Sequence, residues 1–140
     1  MIFTSIFLAF LVLGLFTQFY LAQRQVQSAL KHRHAVPKGF ELLVSLESHQ
    51  KAADYTVAKL RFGLLENIFS KVLLIVLTVL GLIYFIHLEL LAYFAPGVWQ
   101  QIALLLGLSI LTSILDLPFS WYKQFRLEEQ FGFNRMSQKI

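Results

Sequence analysis

Hydrophobic positions fall into three long blocks separated by polar stretches. From Ile2 to Ala22 there are 21 residues without a charged side chain. As a helix rising 1.5 Å per residue this block is about 31 Å long, the thickness of a bilayer's hydrocarbon core. A second uncharged run, Val72 to Ile86, is 15 residues and alone gives only about 23 Å. Leu64, Leu65, Ile68 and Phe69 extend it backwards on one helical face, with Lys71 able to snorkel to the interface. A third run, Val98 to Leu115, ends at Asp116-Leu117-Pro118, where proline is expected to stop or kink the helix. The pattern predicts an all-α integral-membrane chain with three transmembrane helices at about 2–22, 64–87 and 98–116, plus cytoplasmic or interfacial helices. Residues 1–140 then form a single N-terminal transmembrane domain, with a cytoplasmic loop and helix at 23–63 and an interfacial segment at 118–140.

Between the blocks the punctuation is clear. Pro37 and Gly39 break residues 23–50 into two short helical stretches. Ser45-Leu46-Glu47-Ser48 reads as a helix start. From about Ser48 no Gly or Pro occurs before Gly63, and Ala53, Val57, Leu60, Leu64 and Ile68 recur at helical spacing, so this helix runs straight into the second span. After Pro118, the residues Phe119, Tyr122, Phe125, Leu127 and Phe131 suggest a helix lying along the interface or packing beneath others. Asp116 fits the cap of that helix, with Pro118 in its first turn.

Composition agrees with the blocks. The 140-residue chain is 57% hydrophobic and 14% charged, against about 25% charged in ordinary soluble domains. Water-soluble and disordered classes are excluded. No cysteine is present, which removes disulfides and thiolate metal sites. The net charge of +4 reflects topology: eight Lys or Arg lie between Arg24 and Lys71, none between His87 and Gly97, and four after Pro118. The positive-inside rule puts loop 23–63 and the C-terminus in the cytoplasm and the N-terminus outside. The partner implied is a lipid bilayer, with no nucleic acid, because the aromatics sit inside the spans rather than interleaved with the basic residues. A cleaved signal peptide does not fit, since Met1 to Gln23 has no Lys or Arg.

Candidate chemistry is sparse. His32-Arg33-His34 is flanked by cations that would repel a divalent ion, and reads as a solvated loop. His49 stands alone. His87-Leu88-Glu89 lacks the second His of a zinc-peptidase helix and reads as interfacial. There is no phosphate loop and no nucleophile elbow. Glu66 and Asn67, where the second helix enters the bilayer, either line a polar cavity or snorkel to the interface.

Two stretches carry more. His49 to Gly63, with Lys51, Ala52, Tyr55, Lys59, Phe62 and Gly63, resembles the Lys-Ala-x-x-Tyr-x-x-x-Lys-x-x-Phe-Gly segment of type 1 CAAX prenyl proteases. Leu117-Pro118-Phe119-Ser120-x-Tyr122, followed by Phe125, Glu128 and Gly132-Phe133-Asn134-Arg135, resembles a second block of that family. The resemblance covers essentially the whole chain and is nearer the bacterial members, which implies a multi-pass protein of the bacterial inner membrane. It also implies a zinc metallopeptidase whose helices enclose a water-filled chamber. Family members carry His-Glu-x-x-His and a later Glu ligand downstream of the Gly-Phe-Asn block, and this chain stops at Ile140. The expectation is therefore an N-terminal membrane region that forms chamber walls and positions a downstream catalytic domain. Catalytic and metal residues are none in this chain, no cofactor is held here, and zinc is expected in the full-length enzyme, acting on a peptide or membrane-protein substrate. Lys51, Tyr55, Lys59 and Phe62 would pack against the later part, while Glu128, Phe131, Gly132, Phe133, Asn134 and Arg135 would form the joint to it. Gly63, Glu66, Pro118 and Tyr122 complete the family-motif positions, as packing or chamber-lining residues. A free-standing three-span scaffold or partner subunit is the alternative.

Overall fold

A computed structural model describes residues 2–37, 39–40 and 42–132. They divide into two compact units, the first formed by residues 1–68 and 121–140 and the second by 69–120. Among the described residues only helices and turns occur.

Helix α1, Ile2–His32, is 31 residues, about 46 Å. It continues ten residues beyond the expected span, so 23–32 is not a separate short stretch. Lys31 and His32 occupy its last turn, where positive charge complements the helix dipole. The chain breaks after it, as Pro37 and Gly39 indicate, and Gly39 takes the left-handed backbone at φ 98°.

Helix α2, Leu46–Thr78, starts where the Ser45 signal placed it. The Oγ of Ser45 accepts the Ser48 backbone N–H at 3.2 Å and donates to the Ser48 hydroxyl at 2.9 Å. That satisfies one of the four N–H groups left open by a helix start. The helix then runs unbroken through Gly63 into the apolar block.

The expected continuous span 64–87 does not form. Val79 and Leu80 both donate to the Ile75 carbonyl, at 2.8 and 3.0 Å, and Gly81 sits at φ 78°. This left-handed residue, easily adopted by glycine, turns the chain into α3, Leu82–Leu91. The α2–α3 pair is bent by 48°. Among the described residues there are therefore two helices long and apolar enough to cross a membrane, or three spans if the bent pair counts as one.

Helix α4, Val98–Tyr122, contains Pro118 in its interior. Asp116 is thus not a helix cap, and Pro118 does not end the helix. The missing N–H forfeits one backbone bond, about 3 kcal/mol in an ordinary helix interior. After Tyr122 the helix widens into a π-helical turn, Lys123–Leu127, and finishes as α5, Glu128–Gln130.

Little is buried. The first unit encloses Ala22, Val57 and Leu127 from α1, α2 and the π turn, and the second encloses Leu77 and Gln100. Large apolar side chains such as Phe3 (81% exposed), Phe16 (68%) and Leu105 (65%) stand on the surface. In water such patches are liabilities. In lipid they are the solvent-facing surface.

Candidate functional site

The first unit brings the two motif stretches face to face. Along α2, Tyr55 and Phe62 lie seven residues apart, two helical turns, and so on one face. Phe62 stacks on Tyr122 with ring centroids 5.0 Å apart and planes at 23°. Tyr55 meets Phe131 edge-on at 5.6 Å and 65°. One turn on, the Lys59 ammonium lies 5.6 Å from the Tyr55 ring centroid, a cation–π distance. At the end of this contact, Gly132 stands at φ 69° and its N–H donates to the Glu129 carbonyl at 2.9 Å. A Cβ there would lie 3.2 Å from the Lys51 ammonium. The Lys51-Tyr55-Phe62 face therefore packs on the Tyr122–Gly132 segment of this chain.

Polar ties hold α1 to the same helix. Arg33 grips Asp54 with two parallel bonds, Nε to Oδ1 and Nη2 to Oδ2, both 2.8 Å. The hydrogen bond from Arg33 holds the Asp54 carboxyl below its ordinary range, opposed by partial desolvation and aided by the guanidinium charge. Reciprocally, the bond to Asp54 raises the Arg33 pKa. The His49 ring donates to the His32 carbonyl at 2.8 Å, and the His32 ring donates to the Ser28 carbonyl at 2.8 Å. Arg33 is thus half-buried rather than part of a solvated loop. Sequence reasoning missed this clamp, because 21 residues separate its partners.

Beside these contacts a cleft of about 360 Å³ opens between α1, α2 and the π turn, lined by Gln18, Gln25, Lys59, Glu66, Asn67 and Lys123 among others. Glu66 and Asn67 both line this cleft. Gly63 lines it as well. Glu128 is half-buried in α5. Pro118 belongs to the second unit, and Phe133, Asn134 and Arg135 lie outside the described residues. In the second unit, the buried Gln100 amide donates to Nδ1 of His87 at 2.7 Å. Among the described residues no three His, Asp or Glu side chains come together as a metal site would require.

Comparison with known proteins identifies the pattern. The family model described as CAAX prenyl protease N-terminal, five membrane helices, matches residues 25–140. The chain belongs to this family. Curated relatives agree: the CAAX prenyl protease 1 homolog of Dictyostelium discoideum is 33% identical over 95% of the chain, and CAAX prenyl protease 1 of Saccharomyces cerevisiae is 29% identical over 86%. A Caenorhabditis elegans CAAX prenyl protease 1 homolog is 29% identical over 84%. The chain spans only 32%, 28% and 26% of the length of these three relatives. No solved structure matches.

Proposed function

We propose that this chain is the N-terminal membrane domain of a zinc-dependent membrane endopeptidase of the CAAX prenyl protease kind, and that it builds chamber walls and aims the downstream catalytic part without being catalytic itself. The observation that carries this reading is the packing of the two family-motif stretches on each other. With Tyr55 on Phe131 and Phe62 on Tyr122, the polypeptide leaving Gly132 has a fixed origin on α2. A catalytic part needs such positioning, since misplacing reacting groups by about 1 Å can cost a hundredfold in rate.

Zinc in the whole enzyme would acidify a bound water for attack on a peptide carbonyl. The described residues offer no donor set for it, so no step through the metal is assigned to this chain. Its residues bind lipid, fix helix positions and line polar space. The basic stretch from Arg24 to Lys71 supports a topology with 23–63 and the C-terminus in the cytoplasm and the N-terminus outside.

The gene sequence beyond Ile140 and the activity of its product test the reading together. The expected result is an in-frame His-Glu-x-x-His, one zinc per full-length polypeptide, and chelator-sensitive peptide hydrolysis that the 140-residue chain alone lacks. An uninterrupted frame without that motif, or chelator-sensitive hydrolysis by the isolated chain, overturns it.

A further inference from the structure

Two cavities of the first unit share a seam. The first is an apolar groove of about 250 Å³, walled by Val12, Leu15, Phe16 and Phe19 of α1 and by Leu64 and Ile68 of α2. The second is the polar cleft already described, with Lys59, Glu66 and Lys123 on its walls. Gln18, Leu64 and Asn67 line both. The seam falls at a defined depth, because α1 has no charged side chain before Arg24. The groove therefore lies at hydrocarbon depth and the cleft at the boundary with water, where headgroups reside.

Charge and hydrogen bonding narrow the occupant. Two ammonium groups against one carboxylate leave the cleft net positive, which favours an anion. The Asn67 Oδ1 at the seam is buried and takes no hydrogen bond from any described residue. A buried acceptor without a donor is costly, and a rotation of the Asn67 amide towards the cleft would present this oxygen to a ligand hydroxyl. A free phosphate would leave the groove unfilled, and a plain hydrocarbon would leave the lysines and Asn67 unmet.

We propose that the paired cavities bind one anionic phospholipid bearing a headgroup hydroxyl. An acyl chain fills the groove, the phosphate sits against Lys59 and Lys123, and the hydroxyl donates to the Asn67 Oδ1. The Tyr55 ring holds the Lys59 ammonium near the cleft wall by the cation–π contact.

Native mass spectrometry of the detergent-purified chain, offered phosphatidylglycerol, phosphatidylcholine or inorganic phosphate, reads the binding directly. One phosphatidylglycerol should be retained about tenfold better than phosphatidylcholine, the attraction of two lysines for an anionic headgroup being partly offset by Glu66. Lys59→Gln with Lys123→Gln should erase that preference, and Asn67→Leu should lower phosphatidylglycerol retention. Leu15→Trp should lower retention of both lipids, and Val12→Trp, at an exposed groove wall, repeats that test with less disturbance of packing. Arg24→Gln with Lys31→Gln should leave the preference intact. Equal retention of the two lipids, a preference unchanged in the double glutamine variant, or displacement of lipid by inorganic phosphate would each overturn the proposal.

Discussion

Replacing Phe62 and Tyr122 singly and together by leucine isolates the contact on which the positioning role depends. Their rings are stacked at 5.0 Å, a geometry worth about 0.5–1.5 kcal/mol beyond buried area. Phe62 is half-buried and Tyr122 is 47% exposed, so the coupling should fall in the lower half, about 0.5–1 kcal/mol. Leucine keeps most of the apolar bulk, so each single change should cost about 1 kcal/mol, mostly that coupling. Unfolding in mixed SDS and mild-detergent micelles, followed by Trp121 fluorescence in a Trp99→Phe background, gives the four free energies. Trp121 reports locally, since its ring centroid lies 6.1 Å from that of Phe125. The cycle must show a favourable interaction of several tenths of a kcal/mol. Simple additivity of the two changes would mean that the rings touch without contributing, and the positioning argument would fail with them.

Three further outcomes are expected. Gly132→Ala should destabilise by about 1–2 kcal/mol because φ is positive there; Gly132→Asn should recover part of this, and adding Lys51→Ala should recover little, since a flexible ammonium can move aside. Asp54 has its pKa lowered by Arg33, so its contribution to stability is fully present above the unfolded carboxylate value and disappears as pH falls through the lower folded value. Acid titration should therefore show the wild type losing its advantage over Asp54→Asn below about pH 4, and an advantage that grows on acidification would contradict the sign. Pro118→Ala restores a donor to the α4 ladder and should raise stability by up to about 3 kcal/mol, with slower amide exchange around Ile114 as the check.

The local signals proved readable where one residue type decides one backbone feature. Ser45 starts α2, and the first and third uncharged blocks become long helices whose apolar side chains largely face outward. The bend at Gly81 was hidden because its neighbours Leu80 and Leu82 are as apolar as the rest of the block, and a lone glycine there is compatible with either a straight or a broken helix. Asp116 and Pro118 misled for a different reason. A proline within a long helix removes only the bond its missing N–H would have made, so the apolar run of α4 can carry the helix through it to Tyr122. The Arg33–Asp54 clamp depends on α1 running ten residues past its apolar block, which hydropathy alone does not register.

The π turn at Lys123–Leu127 sets the angular register of everything after it. Tyr122 and Phe131 are nine residues apart, which on an uninterrupted α-helix points them about 180° from each other. A π turn absorbs one residue and reduces that separation to about 80°. That reduction lets both rings reach α2, where Phe62 and Tyr55 await them. Deleting one residue within 123–127 would let an ordinary α-helix keep the same angle of about 80°, whereas straightening the turn with every residue retained would swing Phe131 roughly 100° around the helix axis. In this family member, then, the widening of the helix at 123–127, rather than the residue count alone, sets the angle at which Phe131 meets α2.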